Sequence, residues 1–441
     1  MAHPWVWSVL FLVAPYDTVY ERYDMILLYG LHPGSTMKKR QSTLAMLTVL
    51  VLLLVDYSCS FQAVLPWRCH TLSVGQTLMA KKKDGLDKGF QILELASGVL
   101  PQGNLVTVAS ASWKFIWKRM MAELAPQDRN GAYQRPSYTF RSPTTSLLLN
   151  DDDDNDATRY HLYTGNPCPW CHRAVLARSL LDLENSIGWT ELEDNPRKAS
   201  RGGWIFASAR PDRIFGGCKD LRELYDTLCD DGYKGRCTAP LLVDTNDRKI
   251  VSNESSEIIR LLNHLARRRK KKGSSSTRID LVPASLEEQI DNTNTQVYNL
   301  VNNGVYRCGF ATTQQAYDAA NADVLKGLTY CEDLLSNNPY LCGSEFTEAD
   351  LRLLPTVLRF DGVYAPLFRA GGTHTRLRSD YPAIHQWLQR CWTTFPAVRE
   401  SIDIADACGS YYAQLFPLNP SGILPAPVSA KALGLEDVTT R

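Results

Sequence analysis

What this chain has little of narrows it first. Twelve cysteines among 441 residues are too few for a disulfide scaffold, and only Cys168 and Cys171 form a short pair. Charge carries no bias either: 48 Lys and Arg against 47 Asp and Glu leave a formal net charge of +1. That balance removes any global case for nucleic acid or an anionic membrane as partner. The chain has no internal repeat. Composition is otherwise that of a globular protein, 44% hydrophobic and 22% charged, and the length favours two domains. The apolar run from Leu44 to Val55 is too short for a comfortable transmembrane helix. It follows a basic start at Met37 and ends at the small residues Cys59 and Ser60. Residues 37–60 therefore read as a secretory signal peptide, with an anchor helix as the alternative. Residues 1–36 precede this better start and read as a gene-model extension.

After Ser60 no acidic residue appears until Asp84, whereas Arg68, Lys81, Lys82 and Lys83 do. A signal peptide followed by a basic, acid-poor segment (61–87) points to two-step import. The junction "SCS–FQAVLP" resembles the cleavage region of plastid presequences in algae with secondary plastids. Plastid delivery is what this likeness implies, with a cytoplasmic protein as the alternative. It would also reconcile an export signal with cysteines that look unpaired.

Residues 88–157 form an N-terminal extension: the amphipathic "WKFIWKRMMAEL", then a turn-rich stretch, then the acidic run "DDDDND" at 151–156, a solvated loop. From 158 the order changes. "RYHLYTGNP" reads as a strand, and a helix starts at Pro169 with Ala174, Val175 and Leu181 on a recurring face. "LRELYDTLCD" reads as a second helix, "APLLVD" and "KIVS" as a hairpin around "TNDR", and "NESSEIIRLLNHL" as a capped helix. This is the order of a thioredoxin-like α/β domain, 158–265. A basic Gly/Ser-containing linker follows at 266–283 and an all-α domain at 284–415, with residues 416–441 as a mobile Pro/Ala/Gly-rich tail. Within the helical part "FTEADLRLL" carries the clearest start: Thr347 can cap, Asp350 can bond back, and Phe346 can staple onto Leu351.

"CPWC" at 168–171 admits four chemistries. A thiol in the first turn of a helix faces unpaired N–H groups and the positive end of the dipole, which lowers its pKa. Cys168 is the exposed position, Pro169 fixes the turn, and Cys171 lies inside it. Zinc needs two further ligands at compatible spacing, and Cys218, Cys229 and Cys237 are too widely separated to supply an obvious pair. Two buried structural thiols are a further reading. Disulfide exchange and glutathione chemistry share the same domain, so the discriminating residues lie elsewhere. Pro240 in "CTAPLL" stands where thioredoxin-like folds place a cis proline, leaving the backbone before it free to pair with a thiol substrate; an ordinary turn proline is the alternative. Glu254 and Ser255 in "SNESSE" open a helix where backbone donors, a hydroxyl and a carboxylate can hold an amino acid's two charges. Their place after the hairpin favours glutathione over plain capping. A helical domain of this length is also superfluous to a small disulfide oxidoreductase, whereas a transferase uses one for its second substrate.

Six ordered blocks carry a family likeness: "NPCPWCHRA", "GGWIF", "APLLVD…KIVSNESSEIIRLLN", "VNNGVYRCGFATTQQAYDAA", "YLCGSEFTEADLRLLPTVLRFDGVY" and "RSDYPAIHQWLQR". Over about 110–412 the chain resembles the Xi-class glutathione transferases, the glutathionyl-hydroquinone reductases. "WKFIWKRMMAELAPQDRNGAYQRPSYTF" is similar to their plastid-type members. The resemblance implies a thioredoxin-like domain plus an all-α domain, glutathione as co-substrate with no metal, and a homodimer joined through the helices. It implies that Cys168 attacks the glutathione sulfur of a glutathionyl-hydroquinone, and that a second glutathione releases glutathione disulfide. By the same likeness Trp204 packs on glutathione and Arg236 lies near it. The Ala239 backbone beside Pro240 pairs with its cysteinyl part, and Glu254 with Ser255 holds its γ-glutamyl end. Tyr306 and Tyr364 line the quinol pocket.

The chain also departs from the family. Its motif is usually Cys-Pro-Trp-Ala; here Cys171 replaces the alanine and offers a resolving thiol. Ala239 stands where valine is common, and the "RRRKKKGSSSTR" segment is unusually basic. A glutaredoxin-like dithiol oxidoreductase and a non-enzymatic assembly module thus stand beside the reductase reading.

Overall fold

The computed structural model of the protein describes residues 102–140, 159–200, 202–208, 211–271, 279–372 and 374–436. All of them belong to one unit, Ile92–Arg441. The leader readings over 1–87, the acidic run at 151–156 and residues 272–278 of the basic segment lie outside the described residues.

A five-stranded sheet is the frame of the thioredoxin-like domain. Strands β1 (Tyr160–Gly165), β2 (Ile187–Asp194), β3 (Trp204–Ile205), β4 (Leu241–Asp244) and β5 (Lys249–Ser252) are ordered β3-β2-β1-β4-β5. The central β1 runs parallel to β2 and antiparallel to β4, with Leu162 opposite both Trp189 and Leu242. Parallel pairing of β1 and β2 needs a crossover, which helix α1 (Pro169–Leu180) supplies. Side chains alternate across the strands. Tyr160, Leu162 and Leu242 enter the core that α1 and α3 (Ser255–Lys271) share with the helical domain. Tyr163, Leu241 and Val243 enter a second core against α2 (Leu221–Thr227). The two cores hold the head of α1, between the sheet's edge and the helices, in one place.

Two sequence-based boundaries need correction. The 266–283 segment is not a linker throughout, because α3 continues to Lys271. Ala266 is buried, and Arg267 pairs with Asp280 at 3.0 Å. Cations at a helix C-terminus also suit its dipole. The charge run hid a helix face that packs. Nor is the segment from residue 416 simply a loose tail. Ala430 and Leu435 are buried, and His385 and Gln389 bond the carbonyls of Leu433 and Gly434 at 2.9 and 2.7 Å. Pro417 accepts from the Trp117 indole at 2.9 Å. Composition alone cannot reveal such tertiary partners.

The helical domain comprises α4 (Glu287–Val297), α5 (Gly304–Gly309), α6 (Gln314–Asn337), α7 (Glu348–Arg359), α8 (Leu377–Asp380), α9 (Pro382–Thr394), α10 (Pro396–Glu400) and α11 (Ile404–Gln414). Two wide π-helical turns interrupt it, Tyr298–Asn302 before α5 and Phe360–Tyr364 after α7. Their i→i+5 bonds are Asn303 N–H to Tyr298 O at 2.8 Å and Ala365 N–H to Phe360 O at 2.9 Å. The start expected at Thr347 is present as a capping box. The buried Asp350 carboxylate accepts from the Thr347 amide and hydroxyl, the Leu341 amide and the Trp387 indole, at 2.9 to 3.0 Å. Ahead of the sheet, a helix at Gln102–Leu124 leads into an extended strap, residues 126–140.

Asp350→Ala strands several buried donors at once, so the loss should reach about 3 kcal/mol or more. Denaturant unfolding of the variant should show it, whereas truncating the exposed Glu123 of the pair Arg119–Glu123 should change stability by under about 0.5 kcal/mol.

Candidate active site

Cys168 stands at the cap position of α1, with extended backbone, and Pro169 begins the helix. Proline suits that place because its missing N–H would have had no partner there. The first intrahelical bond runs from the His172 amide to the Cys168 carbonyl, 3.0 Å. The sulfur thus occupies the position a Ser or Asp oxygen takes in an ordinary cap, facing the amides of the first turn. Burial opposes its ionisation. The Cys171 thiol, the Cys171 and Trp170 amides and the Arg359 guanidinium outweigh that and bring the Cys168 thiol down to about 7. Cys171, directly behind it, is buried; burial and the neighbouring sulfur push its own pKa well up, so it stays a thiol and a donor. Among the described residues ten cysteines lie outside any disulfide, and eight of them are buried.

The wall opposite the thiol is the turn before β4. The Ala239–Pro240 peptide is cis, as expected from sequence, and the Ala239 carbonyl lies 3.8 Å from the Cys168 sulfur. Tyr225 donates to the Thr238 carbonyl at 2.8 Å, and the buried Asn253 amide reaches the Tyr225 and Thr238 hydroxyls, so the turn is held from behind. Trp204 lies against the loop that carries Cys168. A Cβ on Gly165 would sit 2.0 Å from its ring, so glycine is required where β1 meets that ring. Glu254 and Ser255 open α3, with Ser255 buried. The Glu254 carboxylate accepts from the Ser256 amide and hydroxyl at 3.0 and 3.1 Å and from the Ser255 hydroxyl at 3.3 Å. It therefore caps the helix in this structure. Arg236 is exposed and acts electrostatically on Tyr133 of the strap.

Tyr306 and Tyr364 meet as anticipated, but they are not a pair. Tyr411 from α11 joins them, and the three hydroxyls form a triangle with sides of 2.7, 3.1 and 3.4 Å. Burial, first of all, raises the pKa of each, so all three are protonated phenols at neutral pH. Both Tyr306 and Tyr364 sense the charge of Cys168, and the Tyr306 ring lies 6.1 Å from that of Trp170. Tyr306 and Tyr364 therefore sit within electrostatic reach of the thiol, on elements of the helical domain.

The strap contributes residues that sequence reasoning missed. One end docks on the loop after α5, where Thr312 donates its amide to Gly131 O at 3.0 Å and Gln127 donates to Phe310 O at 3.1 Å. The other end reaches the start of α3, with Asn253 donating its amide to Phe140 O at 3.3 Å. Between them Arg135 lies 3.9 Å above the Trp170 ring and donates to the Tyr138 hydroxyl. Tyr138 in turn senses both Glu254 and Cys168. "QRPSYTF" looks like loop in one dimension, and no spacing rule marks it as part of a site.

Comparison with known proteins accords with this geometry. The models of the glutathione S-transferase N-terminal and C-terminal domains match residues 167–265 and 314–390. The glutathione S-transferase omega-like 2 of Schizosaccharomyces pombe is 37% identical over 311 residues, 67% of this chain and 93% of that one. The glutathionyl-hydroquinone reductase YqjG of Escherichia coli is 36% identical over 306 residues, 67% and 88% of the two chains. Its glutathione-bound structure matches with a TM-score of 0.55, covering 62% of this chain and 85% of that one. The Xi transferase structure from Phanerochaete chrysosporium, 35% identical, matches with a TM-score of 0.60 over 68% and 94%. The chain is a Xi-class glutathione transferase. It is thus an enzyme of the family that includes the glutathionyl-hydroquinone reductases, and its sheet and helices are those of the transferase fold.

For this Xi-class transferase the thiol's ionisation is directly measurable. Iodoacetamide labelling of the Cys168 peptide, read by mass spectrometry against pH, should rise with a midpoint near 7. Only the thiolate reacts, so removing a donor to it must move the midpoint up. Cys171→Ala should raise it by about one pH unit; an unchanged midpoint would mean that the Cys171 thiol does not stabilise the anion.

Proposed function

We propose that the protein reduces glutathionyl-hydroquinones with glutathione, through a mixed disulfide at Cys168. The observation that carries the reading is a half-buried thiol of low pKa at a helix head, with the protonated hydroxyls of Tyr306 and Tyr364 within its electrostatic reach. The Cys168 thiolate attacks the sulfur that joins glutathione to the aromatic ring. The ring carbon–sulfur bond breaks, and the ring carbon takes a proton in place of sulfur. Cys168 and glutathione are left as a disulfide. A second glutathione thiolate attacks the glutathione sulfur, frees Cys168 and leaves as glutathione disulfide. Two sulfurs are oxidised by two electrons, and the ring carbon is reduced by two.

Each neighbour has a part in this. The Ala239 backbone beside the cis proline pairs with the cysteinyl unit, and Trp204 packs on it. Glu254 exchanges its capping bonds for the γ-glutamyl ammonium, with Ser255 donating to the carboxylate; Arg236 stands at the edge. Tyr306, Tyr364 and Tyr411 donate to the quinol oxygens, which a phenolate triangle could not do. Cys171, one helical turn behind the reacting sulfur, supports a second reading: it resolves the mixed disulfide internally, as in a dithiol oxidoreductase. A homodimer and plastid delivery complete the reading.

Hydroquinone release from a glutathionyl-hydroquinone plus glutathione tests it. Cys168→Ser should abolish release, and Cys171→Ala should keep it within about tenfold at pH 7, the loss tracing its higher thiol pKa. Loss of release with Cys171→Ala at every pH would favour the dithiol enzyme; no release by the unaltered protein would end the reductase reading. Light scattering of the same preparation should give twice the chain mass. Plastid delivery requires an N-terminus of the mature protein downstream of Ser60, and one mapped upstream would sink it.

A further inference from the structure

We infer that Arg359, from the helical domain, is a positioning residue that fixes the loop ahead of Cys168 and places a buried positive charge beneath its sulfur. The inference rests on the reading of Cys168 as the reacting thiol. Arg359 ends α7 and is fully buried. Its Nε donates to Pro167 O at 3.1 Å and its Nη2 to Asn166 O at 2.8 Å, the two carbonyls immediately before Cys168. Its Nη1 donates to Pro355 O at 3.0 Å and meets His172 Nδ1 at 3.2 Å. None of these four acceptors is charged. Carbonyl bracing alone could come from a neutral amide side chain, without the cost of taking a cation out of water. A cation there, bonded to neutral groups, fits an anion close by.

The groups around the sulfur leave Arg359 in that role. A guanidinium has no acceptor, so His172 must accept at Nδ1 and carry its proton on Nε2, which then donates to Ser401 Oγ at 2.9 Å. Ser401 passes its own hydrogen to Val398 O at 3.2 Å. Burial, and then Arg359, hold the His172 pKa well below its usual value, so the ring is neutral and adds no second cation. Beyond the Arg135 guanidinium, which bonds Tyr138, the titratable groups that interact with Cys168 include Cys171 behind it, Tyr138 from the strap, and Tyr306 and Tyr364 from the helical domain. Burial keeps all four protonated and neutral. Arg359 is the cation whose charge favours the thiolate, although it belongs to the other domain. Asn166 is tied from the same side: its amide donates to Asp403 O and to the Asp406 carboxylate, at 3.1 and 2.7 Å. The loop that presents the thiol is thereby set by α7 and α11, the helices that also lead to Tyr364 and Tyr411.

The test uses the full chain and the iodoacetamide profile of the Cys168 peptide for Arg359→Lys, Arg359→Gln and Arg359→Met. Removing the charge should raise the midpoint by about one unit or more, and so slow labelling at pH 7 about fivefold or more in the Gln and Met variants. Lysine loses the fork that braces the two carbonyls and sheds its proton more readily when buried, so its midpoint should fall between that of the unaltered protein and that of Gln. If Met prevents folding, as judged by circular dichroism, the Gln variant decides. A folded Gln variant with the original midpoint overturns the inference. Failure here is separable from failure of the reductase reading. Labelling needs no quinone, so a charge-dependent midpoint without hydroquinone release would leave Arg359 in place and remove only the substrate.

Discussion

A sulfur anion held by the amides at the head of one helix is the interaction on which this structure turns. Helix heads are plentiful and most carry an oxygen there. Sulfur in that place is useful only if the helix head stays open to a substrate, and if the anion is not so stabilised that it ceases to attack. A thiol near 7 satisfies both conditions at neutral pH, because much of it is ionised while it keeps its nucleophilicity. Proline at the first helical position leaves no N–H without a partner there, and glycine at 165 lets β1 meet the Trp204 ring.

The division of labour between the domains follows from that. The thioredoxin-like domain supplies the helix head and the turn whose Ala239 carbonyl lies beside the sulfur. The helical domain reaches the same sulfur from two directions. Arg359 and the head of α11 hold the presenting loop, and three phenols converge nearby. The strap joins the domains a third time, passing over Trp170. Placement of the thiol is consequently shared between the domains, although the two family models divide the chain neatly.

Much of this was legible in one dimension where the signal is local. Cysteine, proline and the preceding strand place the thiol; "APLLVD" and "KIVS" announce the hairpin with its proline; Thr347 and Asp350 announce a helix start. Each is decided by neighbours within a few residues. What was not legible depends on distant partners. Tyr411 in "SYYAQ" and Arg359 in "VLRF" look like any tyrosine or arginine on a helix, and only the packing of α7 and α11 brings Arg359 to the loop before the thiol and Tyr411 to the other two phenols. The strap's Arg135 and Tyr138 sit in what reads as loop. The basic helix end and the docked C-terminal segment were missed for the opposite reason: charge and Pro/Gly content spoke louder than the few apolar contacts that settle them.

The two π-helical turns carry a geometric consequence. An α-helix advances about 100° per residue, and a wide turn takes in one residue more than an α turn does. Each therefore resets the rotational phase of whatever comes next. Tyr306 follows the first such turn and Tyr364 closes the second. The directions of these two rings are thus governed by chain length within a turn, not by the identity of any one neighbour. Losing a single residue from either segment would swing its tyrosine by about a quarter of a circle while leaving every side chain of the triangle in the sequence.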